Sequence, residues 1–471
     1  MKEGDPDTMA SIKELFNRKK KDVDMTEGSI VRHIILFAVP LLLGNIFQQM
    51  YNMVDTWVVG NFVSNEAYSA VGSVGHITNV LIGFFMGLSS GTGVVISQYY
   101  GAKRYDKVQE TVHTAILMTV VMAVIVTGLG IFMTPYMLQI MKTPAEVVPE
   151  AKTYLAIYFS GALGLMVYNM GAGILRAVGD SQRPFYFLVV CAVVNTVLDL
   201  VFVLVFHMGV AGVALATIIA QFISAILVVR TLMCSDSCIR LRLRLLAFHK
   251  DIFAKIFKVG IPAALQMAIT SFSNVFVQSY VNAFGQYAMS GWTTLTKVDQ
   301  LIMLPRQSIS LAVTTFVGQN LGRNQPERAK KGVNMALVIT LVTTVVLMIP
   351  IITFAPAVVT FFNRTPQVVE IGSMMLRYVM PFQLFGCLTQ IYSGALRGSG
   401  NSRAPMVIML CTYVAFRQVY MYVMANFICN EVMPIFMGYP AGWVLCGVLT
   451  FIYYKRTSLT KTRLLEPEKT A

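Results

Sequence analysis

Predominantly apolar stretches of about twenty residues recur along almost the whole chain, at 115–133, 185–206 and 335–354 among others. A hydrocarbon core of about 30 Å is crossed by roughly 20 helical residues. Only a helix satisfies every backbone polar group within one such segment. The composition agrees: 56% of the 471 residues are apolar and 13% are charged, against about 25% charged in ordinary soluble domains. The pattern predicts an all-α polytopic membrane protein with twelve transmembrane helices and both termini on one side.

A formal net charge of +14 would point to nucleic acid in a soluble protein, but the basic residues are distributed by topology. With twelve spans, 30 of the 37 Lys and Arg fall in the tails, the even-numbered loops or their flanks. By the positive-inside rule that side faces the cytoplasm, so no nucleic-acid partner is expected. The expected location is a bacterial cytoplasmic (inner) membrane. Residues 1–29 are charged and lack an apolar centre, so the first span is expected to serve as the insertion signal. The seven cysteines lie mostly within spans, and Cys234 and Cys238 share a cytoplasmic linker. Neither a disulfide nor a transition-metal site is expected.

The chain also repeats itself at an offset of 221 to 222 residues. Pro40 pairs with Pro262. Gln98 and Gly101 pair with Gln319 and Gly322; Leu175, Arg176, Gly179, Ser181 and Pro184 pair with Leu396, Arg397, Gly400, Ser402 and Pro405. A repeat of half the chain relating segments of equal orientation implies two pseudo-symmetric six-helix bundles around a central cavity. The expected organisation is a tail at 1–29, an N-lobe at 30–233, a linker at 234–251, a C-lobe at 252–456 and a tail at 457–471. The Gly-rich loops after spans 2, 4, 8 and 10 read as tight turns, not phosphate loops, and are also placed to lock the halves together.

Ionisable groups inside spans are expensive and mark candidate sites. Asp55 lies near the outer end of span 1, one turn after Tyr51, and Pro40 should bend that helix. Asn195 and Asp199 stand at i and i+4 on one face of span 5. Two opposed carboxylates in low dielectric can hold one Na⁺ or share one proton, and oxygen ligands suit hard cations. Asp299 reads as interfacial or internally paired. Arg306 and Arg417 lie deep in apolar sequence, where a guanidinium demands a counter-ion, backbone carbonyls or a watery cavity. His113 reads as a packing group.

The segments Gln-Gln-Met-Tyr-Asn-Met-Val-Asp-Thr at 48–56, Thr-Thr-Phe-Val-Gly-Gln-Asn-Leu-Gly at 314–322 and Ala-Leu-Arg-Gly-Ser-Gly-Asn-Ser at 395–402 resemble those of the multidrug and toxic compound extrusion (MATE) transporters. The resemblance implies a Na⁺- or H⁺-coupled antiporter exporting drugs or other small organic molecules, without enzymatic activity or organic cofactor. It implies a cation site in the N-lobe at Asp55, Asn195 and Asp199, completed by the Thr217 hydroxyl and the Val213 carbonyl. Gln48 and Tyr51 match cavity-lining positions. With them Asn52, Arg306, Gln390 and Arg417 form the expected substrate cavity. Where some branches of the family carry acids in spans 7 and 10, this chain has none, so a C-lobe cation site is not expected. A monomer in the bilayer is expected. The nearest alternative is a flippase for a lipid-linked oligosaccharide or other amphiphile; an intramembrane enzyme using Asp55 and Asp199 lacks a further catalytic motif.

Overall fold

A computed structural model describes residues 23–141, 143–429 and 431–465; Lys142, Asn430 and the outer parts of the expected tails, 1–22 and 466–471, lie outside them. The first half contributes α1 (Ile30–Phe62), α2 (Asn65–Gly101), α3 (Tyr105–Ile140), α4 in two pieces (Val148–Ser160 and Ala162–Ala177), α5 (Gln182–Leu200) and α6 (Gly209–Met233). The second contributes α7 (Lys250–Asn282), α8 (Gln286–Gly322), α9 (Pro326–Thr353), α10 in two pieces (Pro366–Val379 and Gln383–Ser399), α11 (Arg403–Ile428, with two π turns) and α12 (Val432–Arg456). Nine of the described helices are long and apolar enough to cross a membrane, and the two pieces of α4, bent by 48°, make a tenth. With α7 and α10 the set is the expected twelve.

Local chemistry sets the breaks. Ser64 starts α2 by accepting the Ala67 amide at 3.1 Å, satisfying one of the orphan donors of a helix start. The turns after α4 and α10 need a left-handed residue, supplied by Gly179 (φ 89°) and Gly400 (φ 102°), where glycine has no steric penalty. α1 runs as one helix through Pro40. The 234–250 stretch lies along α3, where His113 Nε2 accepts the Arg242 amide at 3.2 Å and the Thr114 hydroxyl meets the His249 amide at 3.3 Å.

The two lobes meet closely on the side of residues 23–29 and 457–465. α2 packs along α7 through Gly83, Gly87 and Gly91, spaced four residues apart. A Cβ on Gly87 would strike the Ala264 backbone, and one on Gly91 would strike the Gly260 backbone. Small residues allow this backbone approach. Beyond the seam stand two fully buried glutamines. Gln98 Nε2 donates to the Gly398 carbonyl at 2.9 Å, and its Oε1 accepts the Leu464 amide at 3.0 Å. Gln319 Nε2 donates to the Ala177 carbonyl at 2.9 Å, and its Oε1 accepts the Met25 amide at 2.9 Å. Each lobe thus grips the backbone of the other, and each clasp is completed by the segment just outside α1 or α12.

Candidate functional site

The N-lobe brings two carboxylates together in its buried interior. α5 packs against both α1 and α6, which brings Asp55 from α1, Asn195 and Asp199 from α5, and Val213 and Thr217 from α6 into one buried group. The Asp55 carboxylate faces the side chains of Asp199, Asn195 and Thr217. The Thr217 hydroxyl donates to the Val213 carbonyl at 3.0 Å, so its oxygen lone pairs remain free for the cluster. Directly after Asp199, α5 widens into a π turn at Val201–Val205, a distortion that often accompanies functional positions.

These groups are under-satisfied within the protein. Among the described residues, Asp55 Oδ1, both Asp199 oxygens and both polar atoms of the Asn195 amide are buried without a hydrogen-bond partner. Such atoms each cost about 1–3 kcal/mol when left unpaired, so this donor set fits a proton or a hard cation bound by oxygens. Sequence reasoning missed the surroundings. Tyr154 and Tyr158 of α4, their rings stacked at 6.1 Å, are close enough to interact electrostatically with Asp55, as is Tyr51. Gln221, buried with an unpartnered Oε1, continues the stripe of Val213 and Thr217 one turn on. The i, i+4 spacing of both pairs was visible; the face they share was not.

Near the outer end of α1 is a cleft of about 600 Å³ lined by Gln49, Asn52, Thr56, Trp57, Asn61 and Tyr68 of the N-lobe and Lys297 of the C-lobe, with Met53 and Gly60. Asn52 is in the lining of this cleft. Tyr51 turns into the N-lobe beside Asp55, and half-buried Gln48 lies next to it. Half-buried Gln390 is on α10, where its carbonyl accepts the Ser310 hydroxyl at 2.7 Å.

Arg306 and Arg417 do not line this cleft; both are buried inside the C-lobe. Arg306 lies 4.0 Å from Asp299 and donates to the Gln383 carbonyl at 3.1 Å, while the Gln383 amide donates to Asp299. Gly386 makes room for it, since a Cβ there would strike the guanidinium. Arg417 is held by the Tyr413 carbonyl one turn back, by Ser273 and by Asn274. Partners within the lobe outcompete the cavity for both side chains.

Two repeated lobes of six helices, clasped across their seam by buried glutamines, have the architecture of a membrane transporter. The MatE family model matches residues 40–201 and again 262–423, two stretches 222 residues apart. The chain belongs to the MatE family of multidrug efflux transporters. It is 28% identical over 454 residues to a Bacillus subtilis (strain 168) protein named "Probable multidrug resistance protein YoeA", covering 94% of this chain and 97% of that one. To the NorM protein of Thermotoga maritima it is 25% identical, covering 93% and 96%. Its fold matches a MATE crystal structure in the bent conformation with a TM-score of 0.88 at 22% identity, covering 94% and 99% of the two chains.

Proposed function

We propose that this transporter is an antiporter that exports small organic molecules in exchange for Na⁺ or H⁺, with the exchanging ion bound in the N-lobe by Asp55, Asn195, Asp199, Thr217 and the Val213 carbonyl. The observation that carries this reading is the opposition of two buried carboxylates, three of whose four oxygens lack protein partners among the described residues. Substrate enters the space between the lobes from the cytoplasm, the lobes rock outward, and an ion entering the N-lobe from outside favours substrate release. Ion and substrate need only differ in affinity between the two states for each to drive the other. Flexing of α1 at Pro40 links the ion site to the cleft, because proline removes one helix hydrogen bond there. The chain works as a monomer in the cytoplasmic membrane with both termini inside.

The test is dye efflux from proteoliposomes under an imposed Na⁺ gradient and, separately, a pH gradient, with Asp199→Asn beside the parent. Transport driven by one gradient and lost in the variant is expected and names the ion. Full coupled efflux by Asp199→Asn would remove the assignment. Absence of gradient-driven transport of any dye would favour an amphiphile flippase instead.

A further inference from the structure

The two lobes share one scaffold but carry opposite chemistry at one place. The 222-residue offset sets Asp55 against Val277, Asn195 against Arg417, Asp199 against Met421 and Tyr51 against Ser273, and keeps asparagine at 52 and 274. All of these positions fall inside the two matched stretches. The π turn that follows Asp199 recurs in α11 at Met424–Ile428, so the backbone device is retained where the carboxylates are not.

Arg417 is 1% exposed. Its Nε donates to the Tyr413 carbonyl at 3.0 Å, and its terminal nitrogen donates to the Ser273 hydroxyl and, at 3.3 Å, to Asn274 Oδ1. The rings of Tyr439 and Tyr413 lie 5.0 and 5.5 Å from the guanidinium carbon. Among the described residues no carboxylate comes within ion-pair distance of it. A carbonyl, a hydroxyl, an amide oxygen and two aromatic faces form the ligand set of a cation site. The cation in this case is part of the chain and stays charged at any accessible pH.

We propose that the Arg417 guanidinium is the C-lobe's built-in counterpart of the coupling ion: it occupies the place that the exchangeable cation takes in the N-lobe, so one lobe exchanges ions and the other remains cation-loaded throughout the cycle. This rests on the reading of the N-lobe given above. A purely structural tie between α7 and α11 would require the shape and hydrogen bonds of the side chain; a built-in ion requires its charge.

The experiment separates the two by chemical rescue of Arg417→Ala, purified full-length and reconstituted for gradient-driven efflux. Efflux is expected to fall by about tenfold or more, the equivalent of losing one charge-assisted hydrogen bond. Millimolar guanidinium should restore it saturably, whereas urea, planar and of the same size but neutral, should not. Equal rescue by urea, or no rescue by guanidinium, overturns the proposal. Should Arg417→Ala not fold, Arg417→Lys and Arg417→Met, close to each other in volume, replace it: the lysine variant is expected to retain efflux and the methionine variant to lose it, and equal activities overturn the proposal. Asp199→Asn is run in parallel. If it keeps coupled efflux, the N-lobe assignment falls whatever guanidinium does; if it loses coupling while guanidinium and urea act alike, only the present inference falls.

Discussion

Replacing Gln319 by alanine tests whether the crossed glutamines hold the lobes closed on the side of Met25 and Leu464. The substitution removes two hydrogen bonds of 2.9 Å and strands the Ala177 carbonyl and the Met25 amide in a place where the glutamine itself is fully buried. A buried group left unpaired costs about 1–3 kcal/mol. Some of that loss is recovered as water reaches the loosened end, so the closed arrangement should lose roughly 2–4 kcal/mol. At 1.4 kcal/mol per tenfold, the ratio of closed to open molecules falls roughly 30- to 700-fold. Spin labels at Asp106 and Glu327, exposed at the beginnings of α3 and α9, would report the change by double electron–electron resonance as a new population at longer distance. Gln98→Ala should act in the same direction, because its clasp on Gly398 and Leu464 is built alike. An unchanged distance distribution in the Gln98→Ala, Gln319→Ala double variant would show that the glycine seam holds the lobes without the clasps.

Gly87→Val should prevent that seam from closing, since its side chain must displace the Ala264 backbone; overpacking of this kind costs about 1–3 kcal/mol, read as a lower melting temperature in detergent and a larger open population. Arg306→Met leaves Asp299 buried beside Gln383 without its cation and should destabilise the C-lobe by about 3–5 kcal/mol. Pairing it with Asp299→Asn should recover part of that loss in the same melt. Asn195→Ala should weaken ion dependence, raising the half-saturating ion concentration about tenfold for the roughly 1.4 kcal/mol of one lost ligand, without changing expression. Asn52→Ala, in the cleft, should instead change dye selectivity in competition assays while leaving the ion dependence of efflux in place.

The helical plan was legible because each span must be apolar on its own account, and the repeat was legible because both halves keep the same turn residues at Gly179 and Gly400. Asp55, Asn195 and Asp199 stood out for the reason that charge and amide groups in apolar sequence always do. Direction was the missing quantity. Arg417 announced its burial but not that the Tyr413 carbonyl, Ser273 and Asn274 would hold it inside the lobe, a choice between partners that local sequence does not display. The spacing of Gly83, Gly87 and Gly91 was equally plain in sequence, yet only the packed pair of α2 and α7 identifies what they approach. Tyr154 and Tyr158 were hidden because aromatic residues in a membrane helix face lipid, neighbouring helices or a site with the same local pattern.

The crossed glutamines have an implication for how two halves of one ancestral plan can drift apart. Each side chain reads the other lobe's main chain, at Gly398 and Ala177, and nothing about the identity of the residue found there. A fastening addressed to peptide groups asks of its target only room, which is tight at Gly398, where a Cβ would strike the Thr314 carbonyl, so the halves can keep closing on one another while their interiors specialise. Asparagine at 195 and arginine at 417 show how far the interiors have diverged beneath a closure that has stayed the same.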